Sequence, residues 1–242
     1  MKLSPSTLQR LETLSKSEKV YVPNSNAQAA IHNRYLIELI GPAAGGKSTI
    51  MGHAQAKDTD FSYVTGFTTR GPEPRDVPGR YYYYNTDEEV NTLIDHIEKG
   101  DVLQYVTHPT SGQLYGSFPS DYKTSYNMLD TLFNTVAELD RLPFKGVLKI
   151  AIVSRGNSWA DLFLERYPKP SQERTKRINE AVLCLNWMIN EAPDDMIWLE
   201  NPWGTAELAA DNLISLIKGS KKTEDLRPLA VEMLERAKGI AA

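Results

Sequence analysis

Residues 35–51 read Tyr35-Leu-Ile-Glu-Leu-Ile-Gly41-Pro-Ala-Ala-Gly-Gly46-Lys47-Ser48-Thr-Ile-Met51, and this stretch decides the fold class of the 242-residue chain. An apolar run leads into a glycine-rich turn, and a helix-compatible run follows. Residues 41–48 match the pattern G-x-x-x-x-G-K-[ST] of a phosphate-binding loop. In such a loop, backbone N–H groups turn toward a polyphosphate at the positively polarised N-terminus of a helix. The stretch therefore predicts a strand, a phosphate loop and a helix.

The side chains of this loop have predicted roles at the phosphates of a nucleotide. Lys47 would reach the outer phosphates, and the Ser48 hydroxyl would ligate Mg²⁺. The residues predicted to hold the donor nucleotide on this stretch are Gly41, Pro42, Ala43, Ala44, Gly45, Gly46, Lys47, Ser48 and Thr49. A phosphate loop alone does not distinguish kinases from GTPases, ATPases or motors.

The composition of the chain argues against several classes of protein. A net charge of −4 disfavours a broad nucleic-acid-binding surface, and the apolar runs are too short to span a membrane. The N-terminus lacks the apolar core of a signal peptide. The single cysteine, Cys184, excludes an intrachain disulfide and a cysteine-based zinc site, and its apolar helical context predicts a buried side chain. We expect a cytoplasmic protein with no nucleic-acid or membrane partner.

Strand and helix signals alternate along the chain, which predicts an α/β fold with a parallel sheet wrapped by helices. The predicted strands cover residues 35–40, 61–67, 81–84, 102–106, 113–118, 126–129, 146–153 and 196–199. The predicted helices cover residues 4–14, 46–56, 86–100, 131–139, 159–167, 172–191, 206–217 and 224–238. In the helix at 86–100, the sequence Thr86-Asp-Glu-Glu predicts a capped start.

A turn-rich segment after the second predicted strand carries side chains suited to a second phosphate. It reads Phe67-Thr-Thr-Arg70-Gly-Pro-Glu-Pro-Arg75, followed by Gly79-Arg-Tyr81-Tyr82 and later by Leu114-Tyr115-Gly116-Ser117. Arginine makes bidentate, charge-assisted bonds to phosphate, and tyrosine adds a neutral donor. The alternative is a solvated basic loop whose tyrosines pack in the core.

The order and spacing of these motifs resemble the guanylate kinase family over about residues 34–218. The family transfers the γ-phosphoryl group of ATP to GMP, so the resemblance implies a Mg²⁺-dependent nucleoside monophosphate kinase. It also implies a three-layer α/β/α fold with a central parallel sheet, an acceptor-binding subdomain at about 67–122 and a lid at about 166–177. Residues 1–33 would form an N-terminal helical extension, and residues 219–242 a C-terminal linker and helix.

The resemblance implies which residues would bind the acceptor. Its phosphate would be held by Arg70, Arg75, Tyr82 and Tyr115. Gly116 would let the backbone pass close, and Ser117 would lie beside the same site. Arg75 is displaced, because the family usually places its second arginine where this chain has Glu73. The family's guanine-reading carboxylate, hydroxyl and aspartate are replaced here by Gln104, Gly66 and Leu132. Gln104 would face the base, and the base preference stays open.

The resemblance also implies residues for the metal, the migrating phosphoryl group and the donor base. Asp130 ends an apolar strand and would hold Mg²⁺ with Ser48, although an aspartate there also suits a helix N-cap. Arg166 and Arg177, eleven residues apart, match the family's lid arginines and would act with Lys47 in catalysis. Asn201 would lie near the adenine.

Three functions remain open from the sequence. The first is an ATP-dependent kinase for GMP. The second is a related small-molecule kinase such as a ribose 1,5-bisphosphate kinase, which needs no guanine site. The third is a non-catalytic guanylate kinase-like binding module, which the intact phosphate loop argues against. The oligomeric state and the roles of the two terminal segments are not predicted.

Overall fold

The computed structural model describes residues 3–73, 76, 78–108, 111–202, 204–220 and 224–241. In these residues there are nine α-helices: α1 (Pro5–Ser17), α2 (Ser25–Ala29), α3 (Lys47–Lys57), α4 (Asp87–Glu98), α5 (Val136–Leu139), α6 (Gly156–Arg166), α7 (Gln172–Asn190), α8 (Ala206–Ile217) and α9 (Arg227–Ala241). There are nine strands: β1 (Tyr35–Ile40), β2 (Phe61–Tyr63), β3 (Gly66–Thr68), β4 (Tyr81–Tyr83), β5 (Gln104–Thr107), β6 (Leu114–Ser117), β7 (Tyr126–Asp130), β8 (Gly146–Val153) and β9 (Ile197–Glu200).

The chain divides into two compact units. The first comprises Met1–Tyr35, Val64–Ser125 and Ala137–Gly146, and the second comprises Leu36–Tyr63, Tyr126–Val136 and Val147–Ala242. The N-terminal segment, which the sequence presents as an extension, belongs to the first unit. Among the described residues, no helix is long and apolar enough to cross a membrane.

The second unit is built on a five-stranded sheet with the strand order β2-β7-β1-β8-β9. Strand β2 runs parallel to β7, and β8 runs parallel to β9. Five of the six residues of β1 are buried, as expected for a central strand covered on both faces. The parallel sheet confirms the predicted α/β class and places the phosphate loop at the end of the middle strand.

Helices cover both faces of this sheet. Alternate residues of each strand point to opposite sides, so each face has its own apolar cluster. One face carries a cluster that includes Ile37 and Leu39 of β1, Met51 of α3 and Leu213 of α8. The other face carries a cluster built from Ile40, Ala151, Trp159, Phe163, Leu185 and Met233, which draws on helices α6, α7 and α9. Helix α9 packs against both α6 and α7. The result is a three-layer α/β/α arrangement.

The first unit contains a four-stranded mixed sheet with the order β4-β3-β6-β5. Strands β3 and β4 are parallel, whereas β6 runs antiparallel to both β3 and β5. Helix α4 begins with the predicted capping box, in which Thr86 accepts from Glu89 N and the Glu89 carboxylate accepts from Thr86 N. Its apolar side packs with Leu14 of α1 in the cluster around Phe67.

Two predicted elements are wrong in extent. The single strand predicted over 61–67 is two strands, since Phe61–Tyr63 pairs with β7 and Gly66–Thr68 pairs with β4 and β6. The helix predicted over 131–139 reduces to a 3-10 turn at Phe133–Thr135 and the short α5. In both cases long-range pairing or packing overrides a local pattern.

Candidate functional site

The phosphate loop contains a tight turn with an unusual backbone. The N–H of Gly45 donates to the Pro42 carbonyl at 3.2 Å, which closes a four-residue β-turn. Its third residue, Ala44, has φ of +61° and is the one non-glycine residue with positive φ in the described part of the chain. A positive φ at this position distinguishes a type II turn from a type I turn and usually requires glycine. The left-handed conformation costs an alanine about 1 kcal/mol, so the surrounding structure must hold it.

Gly46 directly precedes helix α3 and has φ of +83°, in the left-handed region. A Cβ at this position would lie 2.2 Å from Nδ2 of Asn201, so both the backbone conformation and the space require glycine. The first N–H groups of α3 have no partner within the helix and carry the positive end of its dipole. The start of α3 therefore combines a left-handed glycine with a helix N-terminus, as the motif predicts.

Lys47 lies over this loop. Its Nζ donates to the carbonyls of Gly41 at 2.7 Å and Pro42 at 3.1 Å, and it is 3.7 Å from the Asp130 carboxylate. The side chain of Lys47 is only 12% exposed. The ammonium group is thus held within the loop by neutral carbonyls and has one carboxylate nearby.

Ser48 and Asp130 are the residues that could hold a metal. The Ser48 hydroxyl is exposed and 3.3 Å from the Tyr63 hydroxyl, and Asp130 is the last residue of β7, as predicted. In the part of the chain that the structure describes, no three His, Cys, Asp or Glu side chains form a metal-binding group. This sparse oxygen set fits Mg²⁺, which uses one or two protein ligands together with phosphate oxygens and water.

Two buried side chains donate hydrogen bonds to carbonyls of the loop, and the motif predicts neither contact. The indole N–H of Trp159 donates to the Ala43 carbonyl at 3.0 Å, across 116 residues of sequence. The amide Nδ2 of Asn201 donates to the Gly45 carbonyl at 3.0 Å, across 156 residues. Asn201 is 4% exposed, and among the described residues its Oδ1 has no hydrogen-bond partner. The resemblance implies an adenine contact for Asn201, and nothing in the sequence indicates either hydrogen bond to the loop.

The predicted lid arginines lie at the junction of α6 and α7. Arg166 is the last residue of α6 and is exposed, with its guanidinium 5.6 Å from the centre of the Tyr167 ring. Arg177, near the start of α7, donates to Glu180 at 3.0 Å.

Cys184, further along α7, is buried as predicted, and burial raises the pKa of its thiol to about 12. A protonated, buried thiol is a poor nucleophile.

In the first unit, Arg70 is bonded to a carboxylate. Its NH1 donates to Asp76 at 2.8 Å, its NH2 makes a second bond to the same group, and the guanidinium lies 5.1 Å from the centre of the Tyr81 ring. The Tyr83 hydroxyl also donates to Asp76, at 2.6 Å. The hydrogen bonds from Arg70, followed by that from Tyr83, hold the pKa of Asp76 well below its ordinary value. Burial and the neighbouring carboxylate raise the pKa of Tyr83 to about 12.

The two predicted acceptor tyrosines have different surroundings. Tyr82 is 44% exposed, and its hydroxyl donates to Asp121 at 3.2 Å. Burial raises the pKa of Asp121 above its ordinary value. The ring of Tyr115 packs edge-on against the ring of Tyr81, with 6.1 Å between the ring centres. The Arg70 guanidinium lies over the same Tyr81 ring. Arg75, the second predicted arginine, lies outside the described residues.

Gly116 and Ser117 lie on strand β6 and have structural partners. A Cβ at Gly116 would lie 2.2 Å from the Phe67 ring and 2.3 Å from the Gln104 carbonyl, so close packing alone requires a glycine. Ser117 is buried, with its hydroxyl 2.9 Å from that of Tyr122. It also accepts from Nε2 of Gln104 at 3.3 Å.

Comparison with known proteins relates the chain to one group of enzymes. No family model matches it. It is 30% identical over 130 residues to the guanylate kinase of Ruegeria sp. (strain TM1040), which covers 53% of this chain and 54% of that protein. It is 29% identical over 143 residues to the guanylate kinase of Oceanobacillus iheyensis, which covers 59% of this chain and 62% of that protein. The chain thus spans about half the length of the curated relatives it matches.

The likeness extends to a solved structure. The guanylate kinase from Anaplasma phagocytophilum superposes with a TM-score of 0.50 at 15% sequence identity, over 80% of this chain and 88% of that one. The chain has the guanylate kinase fold. The resemblance that the motifs predict is therefore confirmed in sequence and in architecture, and at this identity the structural match speaks for the fold alone.

The three residues that the resemblance places at the family's guanine-reading positions lie on or beside strands β5, β3 and β7. Gln104 lies on β5 with its amide N–H₂ bonded to Ser117, and Gly66 is the first residue of β3, packed against the Gly116 carbonyl. Leu132 follows β7 and precedes the 3-10 turn at Phe133. None of the three is a carboxylate. The oxygen of the Gln104 amide can still accept a hydrogen bond, more weakly than a charged group would.

Proposed function

We propose that the protein is an ATP-dependent nucleoside monophosphate kinase that transfers the γ-phosphoryl group of ATP to the phosphate of GMP. The observation that best supports binding of the ATP phosphates is the phosphate loop in its folded form. It combines a positive-φ turn at Ala44, Gly46 at the start of α3, and Lys47 held over the loop carbonyls. The fold and the partial sequence matches to guanylate kinases support both a kinase and the choice of GMP. The expected cytoplasmic location remains a prediction.

The donor site divides into binding and charge-neutralising groups. The N–H groups from Gly41 to Thr49 would bind the donor phosphates, and Ser48 and Asp130 would hold Mg²⁺, which neutralises phosphate charge when bound. Lys47, Arg166 and Arg177 would stabilise the negative charge on the migrating phosphoryl group. Transfer between two phosphates needs no strong general base, so positioning and charge carry the catalysis.

The acceptor site would use Arg70 as its main cation. Arg70 is preorganised by Asp76 and by the Tyr81 ring, so an arriving phosphate meets a guanidinium that is already oriented. Tyr82 and Tyr115 would add hydroxyl donors, and Arg75 a second charge. Gln104 on β5 would face the base, and Ser117, which accepts from its amide on the neighbouring strand β6, would lie beside the phosphate site.

A second candidate is a kinase that phosphorylates another small phosphorylated acceptor, such as ribose 1,5-bisphosphate. The specific observation in its favour is that Gln104, Gly66 and Leu132 supply no carboxylate for guanine. Charge-assisted hydrogen bonds contribute about 1.5–3 kcal/mol each, so their loss weakens guanine selection. A binding module without activity is disfavoured by the intact Lys47 and Ser48.

A substrate screen tests the proposal. ATP consumption is measured with GMP, dGMP, AMP, CMP, UMP and ribose 1,5-bisphosphate, each compared with a no-acceptor blank. We expect the highest kcat/KM for GMP and formation of GDP. A clear preference for ribose 1,5-bisphosphate would establish the second candidate instead. Nucleotide binding without turnover of any acceptor would favour the binding module.

A further inference from the structure

The turn in the phosphate loop can adopt two orientations that differ in one peptide unit. Type I and type II turns are related by rotation of the peptide between the second and third residues, which here joins Ala43 and Ala44. The type I form would return Ala44 to negative φ and relieve its strain. The structure has Ala44 at φ of +61°, so contacts outside the turn must favour the type II form.

Trp159 supplies such a contact to this particular peptide. Its indole N–H bonds the carbonyl oxygen of Ala43 at 3.0 Å, and rotation of the peptide would break this bond. In a trans peptide the C=O and the following N–H point in opposite directions. Because the Ala43 carbonyl is held toward the buried indole, the N–H of Ala44 is directed away from the core.

Asn201 makes the equivalent contact two residues further on. Its Nδ2 bonds the Gly45 carbonyl at 3.0 Å, so the N–H of Gly46 is directed away from Asn201 in the same manner. The two bonds lie on either side of the strained Ala44. Together they set the direction of two N–H groups in the segment that the motif assigns to phosphates.

The indole of Trp159 is itself held firmly. It is fully buried, and its ring centre lies 5.4 Å from that of Phe163. Helix α6, which carries Trp159, begins against helix α9, where the Gly156 N–H donates to Glu232 at 3.3 Å. A Cβ at Gly156 would lie 2.7 Å from the Glu232 carbonyl, so the two helices are in close contact there. The C-terminal helix therefore helps to position the indole.

We propose that Trp159 is a positioning residue, assisted by Asn201, that keeps the loop turn in its type II form and thereby aims the Ala44 and Gly46 N–H groups at the donor phosphates. The inference rests on the proposed function only in taking a Mg-nucleotide as the ligand of the loop. It concerns donor affinity and is independent of which acceptor is phosphorylated.

The test compares Trp159→Phe with a matched control, Trp198→Phe. Both tryptophans are buried in the same cluster, and both changes remove an indole N–H and similar volume. The indole hydrogen bond to the loop comes from Trp159, whereas Trp198 lies on β9 with its ring 5.7 Å from the Arg227 guanidinium. The dissociation constant of MgADP is measured by calorimetry, with melting temperatures alongside. We expect binding about 3- to 10-fold weaker for Trp159→Phe, the value of one hydrogen bond, and within about twofold of wild type for Trp198→Phe.

A second change distinguishes positioning from general loss of structure. Glycine adopts positive φ without strain, so Ala44→Gly should restore the type II turn when Trp159 no longer enforces it. We expect the double variant Trp159→Phe/Ala44→Gly to recover most of the lost MgADP affinity while keeping the lower melting temperature of Trp159→Phe. Asn201→Ala should weaken MgADP binding about 3- to 10-fold, and it carries the test if Trp159→Phe does not fold.

Each outcome bears on a stated claim. Three results would overturn the inference. The first is an equal loss of affinity in Trp159→Phe and Trp198→Phe, and the second is wild-type affinity in Trp159→Phe and Asn201→Ala. The third is no recovery of affinity with Ala44→Gly. Wild-type protein that binds MgADP but phosphorylates no acceptor would overturn the proposed function and leave the inference standing. Wild-type protein that binds no MgADP would overturn both.

Discussion

The phosphate loop and the Arg70 cluster (Arg70, Asp76, Tyr81 and Tyr83) are both suited to phosphate, but they hold their cations differently. Lys47 rests on two neutral carbonyls, with the Asp130 carboxylate at 3.7 Å. Arg70 makes two hydrogen bonds to the Asp76 carboxylate, which also accepts from Tyr83. An anion at the loop would bind backbone N–H groups without displacing a carboxylate. An anion at Arg70 would compete with Asp76 for the guanidinium.

This difference has a physical consequence for binding. A backbone loop with fixed N–H groups is complementary to a polyphosphate before it arrives, so little reorganisation is needed. A guanidinium paired with Asp76 is well oriented but partly neutralised, so binding there gains less from charge. We infer that the donor side is tuned for tight polyphosphate binding, and the acceptor side for orientation and selection.

The largest expected effect comes from the cation of the loop. Lys47→Ala removes the cation that the proposed function places at the migrating phosphoryl group, and we expect kcat to fall by about 10²–10³-fold or more. Lys57→Ala, at the other end of the same helix, breaks a surface pair with Asp211 and should leave kcat unchanged. Steady-state kinetics of both variants measures the difference, and near-normal turnover by Lys47→Ala would remove the catalytic role.

Arg70→Ala is expected to act on the other substrate. Loss of its charge-assisted bonds should raise the acceptor KM by about 10- to 100-fold and leave the ATP KM nearly unchanged. Arg10→Ala is the matched control, because Arg10 is also bonded to carboxylates in the first unit, those of Asp95 and Glu98. If the ATP constant moved and the acceptor constant did not, the assignment of the two sites would be reversed.

A smaller effect is expected at the base. Gln104→Glu introduces a carboxylate on β5 that can accept from guanine more strongly than an amide oxygen. It also replaces the donor to Ser117 with an acceptor, which the Ser117 hydroxyl can satisfy by reversing its bond. We expect kcat/KM for GMP relative to AMP to rise about 3- to 10-fold. An unchanged ratio would argue that Gln104 does not face the base.

The smallest effect concerns stability and pH. The pKa of Asp76 is lowered in the folded protein from an ordinary value of 3.8, so its bonds to Arg70 stabilise the fold above about pH 4. Below that pH the unfolded chain takes up the proton first, and this contribution is lost as pH falls toward the folded-state pKa. Asp76→Asn should cost about 1 kcal/mol at pH 7 and less at pH 3, as measured by denaturant unfolding. A cost that is the same at both pH values would contradict the ion-pair account.

The parts of the structure that the sequence predicts well are those with local causes. The phosphate loop lies within eight consecutive residues, and the capping box of α4 within four, so their geometry follows from neighbouring backbone and side chains. The sequence does not predict the break between β2 and β3, because each half is paired with strands distant in the chain. Nothing in residues 61–67 alone marks that change of partner.

The candidate site shows the same division. The motif predicts that Lys47 and Gly46 belong to a phosphate site, since their spacing is a property of the chain. It does not predict that Trp159 and Asn201 bond the loop carbonyls, because those contacts join segments 116 and 156 residues apart. It also does not predict that Asp76 pairs with Arg70. A carboxylate six residues away could equally well be exposed to solvent. Neighbouring residues determine the local geometry of the backbone. The orientation of the Ala43–Ala44 peptide and the partner of the Arg70 charge depend instead on which distant side chains the fold brings beside them.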